Sequence, residues 1–275
     1  EKLGIPVKYH HHEVGGPGQS EIETPLLGIT EAGDAALLVK YVVKMTAMRA
    51  GKTATFLPKP IYGLAGSSTH YHQLLTKGGE NQFYDPKGLS LLSRTALQYI
   101  GGMLTHAPAV MAFTNPSPNS YRRLVPGFEA PIKAIFSVAN RSAAIRIPKY
   151  ATAPQAVRME FRPPDATGNA YLSMAAMLMA GLAGIQAGID PTEAGFGPIY
   201  DNIFDWSEER RATIKSLPTS VEAAMSALEN GAAFLTEHGI FDETLIRTWV
   251  NAKRKEANQV NQRPSPFEIE NYYDC

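Results

Sequence analysis

The chain has 275 residues, 44% of them hydrophobic, enough to bury a sizeable core in one large domain or two modest ones. Lys plus Arg and Asp plus Glu each total 26, so the formal charge is zero and nothing long-ranged draws the chain to nucleic acid or to an anionic membrane. The single cysteine, Cys275, excludes an intrachain disulfide and suits a reducing compartment; with no apolar signal core at Glu1 and Lys2, a cytoplasmic protein is expected.

A strand is expected over residues 7–14, placing Val7, Tyr9, His11 and Glu13 on one face and Lys8, His10 and His12 on the other. Gly15-Gly16-Pro17-Gly18 has the composition of a chain reversal, and a hairpin centred on Pro17 would set Glu21, in a second strand over 20–24, opposite Glu13. Facing carboxylates destabilise a sheet unless a divalent cation lies between them; a solvated edge hairpin with scattered acids is the alternative. Three consecutive histidines also resemble a tag, but His10 to His12 sit inside the strand pattern.

A first helix is expected over 34–49, stopped by Gly51. Gly51-Lys52-Thr53 resembles the end of a phosphate-binding P-loop, but Thr46 occupies the position where that loop needs its first Gly, and the preceding segment is helical, so a P-loop is rejected. A small-residue loop, Gly66 to Ser68, then runs into a strand over 69–74 whose His70 and His72 face the same way. Such a pair either reaches one ligand or forms a structural hydrogen-bonded pair.

A second helix is expected over 89–106, then strands over 144–147 and 156–162. In the last of these Arg158, Glu160 and Arg162 alternate with Val157, Met159 and Phe161. The apolar face must be core, and the polar face is either solvated or, with Arg141 and Arg146 close in sequence, an anion site. Helices follow over 170–189, 221–237 and 243–260. The apolar stretch 174–185 inside the first is too short to cross a bilayer, and Thr219 and Glu222 stand at capping-box spacing before the second. Residues 190–219 read as loop, and the polar tail 262–275 suits assembly. Irregular alternation of strands and helices predicts an α+β domain, an antiparallel sheet with flanking helices.

The stretch Asn115-Pro116-Ser117-Pro118-Asn119-Ser120-Tyr121-Arg122-Arg123-Leu124-Val125-Pro126-Gly127-Phe128-Glu129-Ala130-Pro131 resembles a hallmark of type I glutamine synthetases. It is followed at family spacing by Asn140-Arg141-Ser142-Ala143-Ala144-Ile145-Arg146-Ile147-Pro148 and by Arg158-Met159-Glu160-Phe161-Arg162-Pro163-Pro164-Asp165, and preceded by Lys59-Pro60 leading to the Gly66 loop. The resemblance implies that residues 1–275 are a glutamine synthetase/guanido kinase-like catalytic domain, N-terminally truncated, with two divalent cations, Mg2+ or Mn2+. Glu13 and Glu21 match ligands of one cation, His70 and Glu160 ligands of the other. Gly66 and Arg123 match glutamate-binding positions, and Arg162 matches one that meets the reacting carboxylate. Arg141, Arg146 and Arg158 match phosphate contacts, Arg141 being catalytic as well, and His72 matches a nucleotide-side position. Glu129 matches the catalytic glutamate of a mobile flap that helps deprotonate ammonium.

The implied reaction is a ligation of nitrogen metabolism: ATP, glutamate and ammonia give glutamine through a γ-glutamyl phosphate. The implied assembly is a homo-oligomer, a dodecamer of two stacked hexameric rings in full-length relatives. Because the resemblance implies a preceding β-grasp domain and further metal-bearing strands, this chain is expected to be inactive alone. Ala65, Ser68, Thr69 and Gln155 depart from the family pattern, and Ala65 leaves open a ligase for a larger amine. Tyr200 stands where some relatives are adenylylated, in different surroundings. A noncatalytic assembly module is the reading from another class.

Overall fold

In the computed structural model the described residues are 3–16, 18–128, 130–138 and 140–275, so Pro17, the expected centre of the hairpin turn, and Glu129, the expected flap residue, lie outside them. The first elements are β1 (Tyr9–His12) and β2 (Ser20–Glu23), an antiparallel hairpin that forms its own two-stranded sheet. Its register pairs Tyr9 with Glu23 and His11 with Glu21. The expected pairing of Glu13 with Glu21 is therefore corrected by one step: Glu21 faces His11 and lies diagonal to Glu13. Gln19 explains the shift, because its backbone carbonyl accepts from the Glu13 N–H at 2.8 Å while its side-chain Oε1 accepts from the Gly15 N–H at 2.8 Å. The turn thus closes one residue earlier than glycine and proline content suggests.

Helix α1 (Ile29–Arg49) begins before the expected Asp34, because Glu31 caps it by accepting from the Gly28 N–H at 3.2 Å. It ends as expected, with Gly51 at φ +67. Then come β3 (Tyr71–Gln73) and a small hairpin of β4 (Thr76–Lys77) and β5 (Glu80–Asn81). Helix α2 (Arg94–Thr114) starts later than predicted because the Ser93 hydroxyl caps it, accepting from the Ala96 N–H at 3.1 Å. It also continues beyond His106 through Pro108: its second half is almost wholly buried, and packing outweighs the backbone bond that proline removes.

The short helix α3 (Pro118–Arg123) leads to β6 (Lys133–Val138), β7 (Ala143–Ile147) and β8 (Met159–Phe161). These build a four-stranded sheet in the order β3-β8-β7-β6. Its β3–β8 and β8–β7 pairs are antiparallel as expected, but β6 joins β7 in parallel, so the sheet is mixed. Strand β6 gave no alternating signal because its four middle residues are all buried. Its other edge is covered by loop, with the Phe136 and Ala134 N–H groups donating to the carbonyls of Phe196 and Lys215, each at 2.9 Å.

Helix α4 (Ala170–Ala187) agrees with the expected helix 170–189 to within two residues, and by length and composition alone would pass for a membrane span; half of it is buried here. It crosses α2 where Gly102 meets Gly184: a Cβ on Gly102 would lie 2.6 Å from the Gly184 Cα. After α5 (Glu208–Ala212), the expected helix 221–237 is split into α6 (Val221–Gly231) and α7 (Ala233–Thr236), the turn at Ala232 letting Phe234 and Leu235 enter the core. Ser220, not Thr219, caps α6, accepting from the Ala223 N–H at 3.1 Å, and Glu222 instead pairs with Arg254 at 2.8 Å. Helices α8 (Glu243–Asn261) and α9 (Pro266–Tyr272) close the chain; Phe267 and Tyr272 on α9 are exposed.

Candidate functional site

Strand β8 turns Met159 and Phe161 into the core and Glu160 to the opposite face, as alternation predicts. Its neighbours bring His72 and Arg146 directly across from Glu160. Glu160 is 1% exposed, and both its oxygens are engaged: Oε1 accepts from Arg162 Nη1 at 2.8 Å and lies 3.1 Å from His70 Nδ1, while Oε2 accepts from Arg146 Nε at 2.5 Å. Burial alone would raise the Glu160 carboxyl, but the hydrogen bond from His70 and the charges of Arg162 and Arg146 hold it well below the usual range.

Arg158 donates through Nε to His72 Nδ1 at 3.2 Å and through Nη2 to the Tyr150 hydroxyl at 3.2 Å. Burial lowers His70 and His72 to about 4 each, so both rings are neutral near pH 7. Arg162 Nε donates to the Arg141 carbonyl at 3.1 Å, fixing that loop beside the face. The structure therefore sets Arg146 and Arg162 directly on this carboxylate and Arg158 on His72, the residue paired across from it. This excess of guanidinium suits phosphate or carboxylate ligands.

A second cation source comes from α3, whose start is capped by the Ser117 and Ser120 hydroxyls. Its last residue, Arg123, is 6% exposed; Nη2 donates to the carbonyls of Pro163 and Pro164, and Nε has no partner. Burial lowers its pKa to about 10. Gly66 lies against it: a Cβ there would lie 2.7 Å from Arg123 Cγ and overlap the Pro58 carbonyl oxygen. Only glycine allows this approach.

On the hairpin, His11, Glu13 and Glu21 each offer a ligand atom within 4.8 Å of the others, the one such group among the described residues. His11 Nδ1 lies 2.9 Å from the His12 carbonyl; donating there as Nδ1–H would leave Nε2 for a cation. Burial and the neighbouring Glu13 raise the Glu21 carboxyl, the signature of two acids sharing a site. One nitrogen and two carboxylates fit a divalent cation. The other expected pair, His70 and Glu160, contact each other but gather no third acid or histidine among the described residues.

Gln19 joins the two regions, donating through Nε2 to the Gly66 carbonyl at 3.0 Å and the Ser67 hydroxyl at 3.1 Å. A cavity of about 180 Å³ lined by Lys8, Glu23, His72 and Arg158 also lies between them. Beside the expected flap position, Lys59 Nζ lies 3.8 Å from the Phe128 ring centroid. Sequence reasoning assigned no ligand role to His11, although its shared face with Glu13 was legible, and no role to Gln19, whose partners are distant in the chain.

A mixed sheet that sets guanidiniums on a buried acid, with a hairpin whose His11, Glu13 and Glu21 could hold a cation, describes a class: an α+β domain with groups suited to anionic ligands and a divalent cation. Residues 1–272 match the family described as glutamine synthetase, catalytic domain. The chain is 48% identical over 275 residues to glutamine synthetase of Streptomyces filamentosus and 49% over 274 residues to that of a Nostoc species, covering 100% and 99% of this chain and 58% and 57% of those proteins. Among solved structures, Plasmodium falciparum glutamine synthetase aligns at TM-score 0.85 with 30% identity, covering 98% of this chain and 58% of that one. A GmaS/ADP complex aligns at 0.86 with 31% identity, covering 100% and 61%. The chain belongs to the glutamine synthetase family, within its catalytic domain. It spans a little over half the length of the curated relatives it matches.

Proposed function

We propose that this domain ligates ammonia to the side-chain carboxylate of L-glutamate at the expense of ATP, giving L-glutamine through a γ-glutamyl phosphate. The observation that carries the reading is the buried Glu160 gripped by Arg146 and Arg162, with Arg158 holding the facing His72, together with the buried, unpartnered Nε–H of Arg123. The 48% identity to proteins named glutamine synthetase favours ammonia over a larger amine as acceptor.

In this reading the α-carboxylate of glutamate accepts from Arg123 Nε–H, and Gly66 leaves room for it. Arg162 orients the side-chain carboxylate, one of whose oxygens attacks the γ-phosphorus of ATP as the bond to the bridging oxygen breaks and ADP leaves. Arg141, Arg146 and Arg158 bear the phosphate charge, with neutral His72 on the nucleotide side. Glu129 helps take a proton from ammonium, the ammonia so formed attacks the acyl carbon, and the bond to phosphate breaks as phosphate departs. Guanidiniums fixed beforehand on strands stabilise charge without reorganising. His11, Glu13 and Glu21 would hold one Mg2+ or Mn2+, and His70 and Glu160 would contribute to a second; such cations would neutralise the transferring phosphate.

The chain alone is expected to bind metal without turning over, because among the described residues only His70 and Glu160 meet at the second metal position. The whole protein works in the cytoplasm as a homo-oligomer, dodecameric like the assembly the family resemblance implies; exposed Phe267, Ile269 and Tyr272 of α9 support an assembly role for the tail. Manganese calorimetry on the chain and on Glu13→Gln, with glutamine formation followed in the same samples, tests the reading. Saturable binding that weakens in the variant, without turnover, is expected. Equal binding in both would remove the metal from the hairpin, and turnover by the chain would refute the incomplete-site claim.

A further inference from the structure

Asp165 has no part in the chemistry above, yet it is a carboxylate only 2% exposed, with no direct ion pair to the described residues. Its Oδ1 accepts from the Thr167 N–H at 2.9 Å and from the Thr167 hydroxyl at 2.5 Å, and its Oδ2 accepts from Asn115 Nδ2 at 3.0 Å. The same Asn115 amide donates to the Pro163 carbonyl at 2.7 Å, and that carbonyl also accepts from Arg123 Nη2. The next carbonyl, Pro164, accepts from Arg123 Nη2 at 3.3 Å and from the Thr69 N–H at 2.9 Å.

Neither Pro163 nor Pro164 has an N–H, so this turn cannot be held by donors of its own. Its geometry depends on groups that grip its carbonyls. Asn115, fully buried, provides that grip, and its orientation is fixed from both ends: Oδ1 accepts from the Thr114 hydroxyl at 2.7 Å, and Nδ2 points at Asp165. A carboxylate is required because all three groups facing Asp165 donate; an amide would set its own NH2 against Asn115 or Thr167.

We propose that Asp165 is a positioning residue for substrate binding: through Asn115 it sets the Pro163-Pro164 carbonyls that occupy Arg123 Nη2, so that the Arg123 Nε–H remains unpartnered and aimed at a carboxylate ligand. Its negative charge also offsets the burial of the Arg123 guanidinium. The inference rests on the reading of Arg123 as the contact for the glutamate α-carboxylate.

The test follows the Arg123 side-chain Nε–H by NMR while glutamate is titrated into the chain, with manganese affinity measured on the same samples. In wild type the resonance should shift on titration. In Asp165→Asn glutamate should bind about tenfold to a hundredfold more weakly, with manganese affinity within about twofold, whereas a purely structural turn would lower thermal stability and leave the ratio of the two affinities unchanged. Thr167→Val, which keeps the carboxylate and removes one donor, should weaken glutamate by a smaller factor, and it decides the question if Asp165→Asn does not fold. If Arg123→Lys weakens glutamate binding while Asp165→Asn, or Thr167→Val in its place, leaves it unchanged, the positioning role is overturned and the glutamate site stands. If glutamate fails to shift Arg123 in wild type, the glutamate site falls and takes this inference with it.

Discussion

Gly66→Ala is expected to damage glutamate binding while sparing the metal. A Cβ at this position would overlap the Pro58 carbonyl oxygen and lie 2.7 and 3.1 Å from Cγ and Cδ of Arg123. Ordinary carbon contacts begin at about 3.5 Å, so either the arginine stem or the loop must yield by roughly 0.5–1 Å. The loop resists, because Ser67 N–H donates to the Pro58 carbonyl at 2.8 Å and Gln19 Nε2 to the Gly66 carbonyl at 3.0 Å. Overpacking of this kind costs about 1–3 kcal/mol, against a gain of at most about 1 kcal/mol from a stiffer unfolded chain. Stability should therefore fall by about 1–2 kcal/mol. Displacing Arg123 by that distance should weaken glutamate at least about tenfold. Calorimetric titration of glutamate and manganese, with thermal denaturation of the same samples, measures both effects. Glutamate affinity within twofold of wild type, or an equal loss of manganese affinity, would refute the claim that Gly66 acts through Arg123.

Glu21→Gln should weaken manganese binding by about tenfold or more, yet leave the metal-free chain equally or more stable, since it relieves the repulsion from Glu13; thermal denaturation with and without chelator reads both. The folded-state pKa values of His70 and His72, about 4, lie below the ordinary value near 6.5, so the unfolded chain binds more protons between those limits. Their contribution is whole above pH 6.5 and is lost as pH falls towards 4. Glu160, depressed in its turn, adds a loss only below its ordinary carboxylate range. Urea midpoints should thus drop from pH 7.5 to pH 5, and a flat profile would contradict the burial of both rings. Gly102→Ala should cost about 3 kcal/mol or more by driving a methyl into the Gly184 backbone, measurable as a lowered thermal midpoint.

The polar and apolar faces of β8 were legible from alternation alone, because Met159 and Phe161 pack in the core while Glu160, equally buried, meets Arg146 and Arg162 on the other face. The hairpin was legible to within one residue: its composition marks the reversal, but register was settled by the Gln19 side chain holding Gly15, which no local pattern encodes. Strand β6 escaped because a continuously buried run has no period, and the length of α2 escaped because packing overrides Pro108. The candidate site was legible through ordered motifs resembling a known family, a membership the comparisons show. Gln19 and Asp165 were silent, since each acts through residues about fifty positions away, Gly66 and Asn115, and polar loop residues carry no sign of distant partners.

In the proposed function Arg141, Arg146 and Arg158 form a metal-dependent ATP site beside the glutamate site. Titrating ATP into the chain with and without manganese, and into Arg146→Ala, tests it most directly. Saturable binding that strengthens at least tenfold with the cation and is lost in the variant is expected. ATP binding that ignores both manganese and Arg146 would contradict it.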